Sequence, residues 1–135
     1  MTSPLPELYF RVRENGAQVF RVDTENRHRR IEMEQIAVVN IKSGDIKVHG
    51  EREIRDDERA EIEAWIARRR DVLKAREVED ILRTVDRLNL TTAWLQQKAD
   101  PEEIEAVADP LLMAMHDLRS VIVRKKSDRL KSEDD

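Results

Sequence analysis

The sequence predicts an α+β fold: an N-terminal antiparallel β-meander of about four strands, followed by three to four helices that form an antiparallel helical bundle or a coiled-coil-like arm. Two turn-centred segments with alternating apolar residues predict the strands. Residues 51–100 contain no glycine or proline and predict the helices. We therefore expect a β-meander subdomain over 1–55, a helical subdomain over 56–131 and a flexible acidic tail over 132–135.

The composition restricts both the core and the function. Charged residues make up 40% of the 135 residues and aromatic residues only 4%, so apolar burial must rely on aliphatic side chains in narrow helical stripes. The net charge of −4, from 25 basic and 29 acidic residues, argues against generic polyanion binding by the whole molecule. The chain has no cysteine, which excludes disulfides and thiolate metal sites and fits a cytoplasmic location. No signal peptide and no membrane-spanning segment is predicted.

The first hairpin is predicted around Asn15-Gly16, a strong turn signal between two alternating segments. A two-residue loop at these positions would place Phe10 opposite Arg21. A three-residue loop over 14–16, with Gly16 in the left-handed conformation, places Phe10 opposite Phe20 instead. We predict the three-residue loop because it puts five apolar side chains on one face of the sheet. These are Leu8, Phe10, Val12, Phe20 and Val22.

A second hairpin is predicted around Ser43-Gly44. A loop of two or four residues gives two apolar cross-strand pairs on a single face. These pairs are Ile41 with Ile46 and Val39 with Val48. The approach segment 31–40 alternates as a strand does, and a short helix over the same residues remains an alternative.

The helical stretch carries two apolar stripes. The first consists of Ile62, Trp65, Ile66, Val72 and Leu73. The second follows a heptad pattern through Val78, Ile81, Val85, Leu88, Thr92 and Leu95. The step from Leu73 to Val78 rotates the second stripe by about 140° beyond a full turn, so the two do not share a face. Two alternatives stay open: one helix of about 60 Å over 57–98, with Asp56 or Asp57 as its N-cap, or a break near 74–77, where no turn residue stands.

A helix start is predicted at Asp100-Pro101, because aspartate is a good N-cap and proline suits the first helical position. Glu103 completes a capping box with Asp100. Ala108-Asp109-Pro110 then predicts a kink or a restart, with a last helix from about residue 110 to 129.

No pattern in the chain predicts a catalytic residue, a metal site or a cofactor. The three histidines, His28, His49 and His116, lie in separate segments. Glu25-x-x-His28 has the spacing of a carboxylate–histidine metal pair, but such a pair needs a helix and a second copy facing it. The three glycines fit turns and not a phosphate-binding loop. We therefore predict a non-enzymatic protein.

Two sets of residues are candidates for binding a macromolecule. The first would contact a protein partner or a second copy of the chain, and comprises Val78, Ile81, Val85, Leu88, Leu95 and Trp94. The second would contact phosphates, and comprises Arg68, Arg69, Arg70, Arg124, Lys125 and Lys126. The sequence thus predicts an interaction module, such as an adaptor, assembly component or regulator, that self-associates through its helices. The alternative is a nucleic-acid-associated regulator; no membrane or small-molecule substrate is predicted.

Overall fold

The computed structural model describes residues 7–23 and 31–134. Its elements are β1 (Leu8–Arg13), β2 (Gly16–Asp23), β3 (Glu32–Asn40), β4 (Ile46–Val48), α1 (Asp56–Gln97) and α2 (Pro101–Asp134). The strands form an antiparallel sheet in the order β1-β2-β3-β4. The structure is therefore α+β, and the segment 31–40 is a strand and not a helix. The predicted features at Glu25 and His28, and the last residue of the acidic tail, lie outside the described residues.

The prediction of three to four helices was wrong, because the described chain contains two long helices. Residues 74–77 continue α1 without a break. All four are good helix formers or tolerated in helices, and none is a turn residue. Pro110 lies inside α2, where the helix continues on both sides of it. The loss of one intrahelical hydrogen bond at this proline therefore does not end α2.

Local sequence signals predicted the start of α2 correctly but not the start of α1. Asp100 Oδ1 accepts a hydrogen bond from the Glu103 amide at 2.8 Å, and Glu103 Oε1 accepts one from the Asp100 amide at 3.0 Å. The capping box predicted there is confirmed. At the start of α1, the carbonyl of Arg55 accepts the first helical hydrogen bond, so the predicted N-cap at Asp56 or Asp57 was wrong by one or two residues.

The predicted register of the first hairpin was wrong. The loop is Glu14–Asn15, and Gly16 pairs with Arg13 as the first residue of β2. Phe10 therefore lies opposite Val19, which moves Phe20 to the other face of the sheet. There Phe20 is covered by the guanidinium of Arg11, whose Cζ lies 4.4 Å from the ring centroid. Val19, and not Phe20, therefore lies on the face towards α1, where it is fully buried.

Gly16 is buried where two backbones meet. A Cβ atom built on it would overlap the backbone carbonyl of Val39 on β3. Its missing side chain is required for the close approach of the strands, and not for a turn. Further along the same strand pair, Ile36 forms a bulge in β3 opposite the Val19–Phe20 step and is fully buried.

The second hairpin also has a different register. Val39 lies opposite Ile46, not Val48, because the turn occurs one residue earlier than predicted. Gly44 takes the left-handed conformation, with φ of 79°, and its amide donates to the carbonyl of Asn40 at 2.8 Å. The side chain of Asn40 also accepts from the Ser43 amide, so this residue organises the turn.

The core lies between one face of the sheet and the first turns of α1. Ile62 and Ile66 are buried against the central strands, and the ring of Trp65 stacks on Phe10 with centroids 4.5 Å apart. Further along α1, Arg70 Nε donates to the carbonyl of Ile41 at 2.8 Å. The strand residues of the core are Leu8, Ala17, Val19, Ile36, Ala37 and Val39.

The chain divides into two compact units, Met1–Asp80 and Ile81–Asp135. The first unit contains the sheet and the beginning of α1, and every buried residue among 7–23 and 31–134 belongs to it. The second contains the end of α1 and all of α2. None of its described residues is buried. The second unit therefore has apolar side chains but no closed core of its own.

Substituting Gly16 with alanine tests the close approach of β2 and β3. We expect Gly16→Ala to lower the free energy of unfolding by about 1 to 3 kcal/mol or more, because the added methyl group overlaps the Val39 carbonyl. Chemical denaturation measures the change. Lys47→Ala, at an exposed position of β4, is the control and should have little effect. Equal stability of Gly16→Ala and the native chain would contradict the described strand pairing.

Candidate interaction surface

The candidate functional surface is an apolar stripe on α2, which we call the α2 stripe. It consists of residues spaced alternately four and three apart: Ile104, Ala108, Leu111, Met115, Leu118 and Ile122. This spacing places them on one side of the helix, as in a coiled-coil seam. Ala108 and Leu111 are half-buried, whereas Ile104, nearer the start of α2, is exposed. Met115, Leu118 and Ile122 are exposed.

The part of α1 that belongs to the same unit carries further apolar side chains. Leu88, Trp94 and Leu95 are half-buried, whereas Ile81 and Val85 are exposed. Apolar side chains near the turn that connects the helices are therefore only partly covered, since Leu90 and Ile104 are exposed there too, and those farther from it on both helices are exposed. Neither helix supplies enough cover to bury a residue of the other.

The predicted partner-binding residues thus have unequal surroundings. Val78 lies in the first unit and is exposed. Ile81 and Val85 are exposed in the second unit, where Leu88, Trp94 and Leu95 are half-buried. The set did not include Met115, Leu118 and Ile122 of α2, although their four-three spacing was visible in the sequence. That spacing is equally typical of a core helix, and only the exposure of the side chains separates the two interpretations.

The predicted basic residues do not form a single site in either unit. Arg70 is engaged in holding α1 to the β3–β4 turn, since its guanidinium donates to the carbonyls of Ile41 and Lys42. Arg68 is exposed and Arg69 is half-buried in the first unit. The remaining three, Arg124, Lys125 and Lys126, are exposed on α2 in the second unit.

The strongest electrostatic feature is a buried ion pair between β2 and α1. Glu58 is the one charged side chain that is buried among the described residues. Its carboxylate accepts two hydrogen bonds from Arg21, from Nε at 2.8 Å and from Nη2 at 2.9 Å. It also accepts the backbone N–H of Arg55 at 3.1 Å, as the glutamate of a capping box does. Glu34 extends the network through ion pairs with Arg21 and Arg52.

The geometry of this network indicates a structural role. The bidentate hydrogen bond from Arg21 is the main cause that lowers the pKa of Glu58, and it outweighs the effect of burial. The same hydrogen bond raises the pKa of Arg21. A carboxylate held ionised and fully hydrogen-bonded is a poor general base. The pair fixes the start of α1 on the sheet.

Both histidines in the described part of the chain are exposed. His116 lies on α2 beside Asp117, with Nδ1 3.5 Å from the carboxylate, and both side chains are highly exposed. His49 is exposed after β4. Across residues 7–23 and 31–134, no three histidine or carboxylate side chains are grouped so that they could hold a metal ion. Within the same residues, no helix has the length and apolarity needed to cross a membrane.

Comparison with protein-family models, curated protein sequences and solved structures finds no match to this chain.

Replacing Glu58 with glutamine tests the buried ion pair. Glu58→Gln keeps the shape but removes the charge, and we expect it to lower the free energy of unfolding by about 2 to 4 kcal/mol at pH 7. The folded-state pKa of Glu58 lies below that of an unfolded glutamate, about 4.3. The contribution of the ion pair is therefore present above that pH and is lost as the pH falls through the lower, folded-state value.

The difference in stability between the native chain and Glu58→Gln should consequently shrink below about pH 4. Urea denaturation at a series of pH values measures it. Glu61→Gln, which changes an exposed carboxylate one turn later in α1, should stay within about 0.5 kcal/mol of the native chain. A pH-independent difference for Glu58→Gln would show that its charge does not matter for the fold.

Proposed function

We propose that this protein is a non-enzymatic interaction module that self-associates through its helices, as an adaptor, assembly component or regulator. The observation that carries the proposal is the second unit, whose described residues include many large apolar side chains and not one that is buried. The exposed ones include Ile81, Leu82, Val85, Met115, Leu118, Val121 and Ile122.

Conformational entropy explains why such a unit needs a partner. Ordering a residue in a helix costs about 1 to 2 kcal/mol of backbone entropy. Most helices in proteins offset this cost by burying an apolar face, because helix propensity alone is marginal. Each fully buried aliphatic side chain contributes about 1.5 to 3 kcal/mol. Covering the α2 stripe would therefore supply the burial that the isolated unit lacks.

The kind of surface also favours a protein partner over a small molecule or a phosphate chain. The α2 stripe is long, narrow and aliphatic, which suits another amphipathic helix. The nucleic-acid alternative is supported less well, since Arg70 is already bound to backbone carbonyls and the two basic clusters belong to different units. A cytoplasmic location is part of the proposal, and the absence of cysteine from the sequence supports it.

Two methionines two residues apart on α2 offer a matched test. Met115 belongs to the α2 stripe and is 49% exposed, whereas Met113 points to the opposite side of the helix and is 70% exposed. We expect Met115→Glu to raise the dissociation constant of self-association by about a hundredfold or more, because burying an unpaired carboxylate costs about 3 to 5 kcal/mol. Met113→Glu should leave the dissociation constant nearly unchanged.

Sedimentation velocity over a range of concentrations measures both variants beside the native chain. Circular dichroism of each variant checks that the helices remain formed. A native chain that stays monomeric at the highest concentrations, or an equal effect of the two substitutions, would contradict the proposal.

A further inference from the structure

We infer that the occupant of the α2 stripe is the α2 stripe of a second copy, running antiparallel. This inference rests on the proposed self-association and adds the partner helix, its direction and its register. Two observations support it: the exposed stripe described above, and an uneven distribution of charge along α2.

Charge on α2 changes sign near the middle of the helix. From Pro101 to Leu118 the helix contains acidic residues and no lysine or arginine, while from Arg119 to Lys131 it is strongly basic, with Asp128 as the one acidic residue. All these charged side chains are exposed. The acidic ones are Glu102, Glu103, Glu105, Asp109 and Asp117, and the basic ones are Arg119, Arg124, Lys125, Lys126, Arg129 and Lys131.

The helix dipole does not account for this distribution. Its influence falls off within the first and last turns, whereas Asp109, Arg119 and Arg124 lie more than one turn from either end. The last turn also carries Glu133 and Asp134, which the dipole disfavours. An antiparallel copy explains the pattern, because it places each acidic half beside a basic half.

The stripe itself defines a register. If Met115 lies opposite Leu118 of the second copy, the two-fold axis passes between these residues, and Leu111 lies opposite Ile122. The exposed apolar side chains at the centre then cover one another. Arg129 of the second copy lies opposite Ile104, where its aliphatic stem can cover the side chain and its guanidinium can reach water.

In this register, one flanking pair has opposite charges. Glu105 and Lys126 occupy equivalent heptad positions, directly beside the line of the α2 stripe and on the same side of it. Antiparallel helices bring such equivalent positions together. Each dimer would contain this pair twice. A parallel dimer instead places every residue beside its own copy, so that Lys126 and its basic neighbours would repel each other. Apolar burial therefore drives association, and charge selects the direction.

The absence of cysteine from the native sequence makes the direction measurable by crosslinking. We would prepare two full-length variants, Glu105→Cys and Lys126→Cys, and treat them with a short bismaleimide separately and as a mixture. We expect conjugates between Cys at 105 and Cys at 126 in the mixture, and little conjugate from either variant alone. The two copies of residue 105 would be separated by about 35 Å along the helix axis in the antiparallel dimer.

Charge reversal provides a second measurement that does not depend on crosslinking. We expect Glu105→Lys or Lys126→Glu to raise the dissociation constant about five- to thirtyfold, since each dimer loses two attractive pairs and gains two repulsive ones. The combined variant, Glu105→Lys with Lys126→Glu, should recover most of the native affinity. Arg76→Glu, an exposed reversal on α1 outside the second unit, is the control and should have little effect.

The outcomes separate this inference from the proposed function. A native chain that sediments as a monomer at all concentrations would overturn both. A dimer that crosslinks residue 105 to residue 105 would keep the self-association and overturn the antiparallel pairing. Failure of the combined charge variant to recover affinity, with its helical content unchanged, would overturn the register.

Discussion

Burial of Ile62 and Ile66 against the sheet is the interaction on which the rest of the structure depends. It joins a small open sheet to the first turns of a very long helix and creates the closed core of the protein. The Arg21–Glu58 ion pair acts at the same place, because its bidentate geometry fixes where α1 begins relative to β2. Apolar burial supplies the energy of this contact, and the ion pair restricts its geometry.

The sheet covers only the beginning of α1, and this limit shapes everything that follows in the chain. The helix continues to Gln97, past the last residue that the sheet buries, Ile66. Its apolar stripe changes side between Leu73 and Val78, so the later residues do not continue the sheet-facing surface. The second unit therefore contains apolar side chains that the rest of the described chain does not bury. The proposed association would complete their burial through the same hydrophobic effect that stabilises the core of the first unit.

Charged residues have two distinct roles in this molecule. Glu58 is buried, paired and satisfied, and its role is to position a helix. The charges on α2 are exposed, and each is worth little by itself. Their order along the helix nevertheless carries information, because an acidic half followed by a basic half distinguishes antiparallel from parallel partners. A balanced net charge of −4 conceals this order, which only the positions of the residues show.

The sequence by itself determined features that depend on neighbours along the chain. The capping box of Asp100 and Glu103 and the four-three spacing on α2 require no tertiary contact, and both were readable from the residues. The tertiary structure decided the features that depend on distant groups. Gly16 lies in a strand, where its missing side chain leaves room for the Val39 carbonyl, and the register of that strand places Phe20 on the far face. The stripes on the helices were predictable, but whether they are buried was not, because exposure depends on how much surface the other elements can cover.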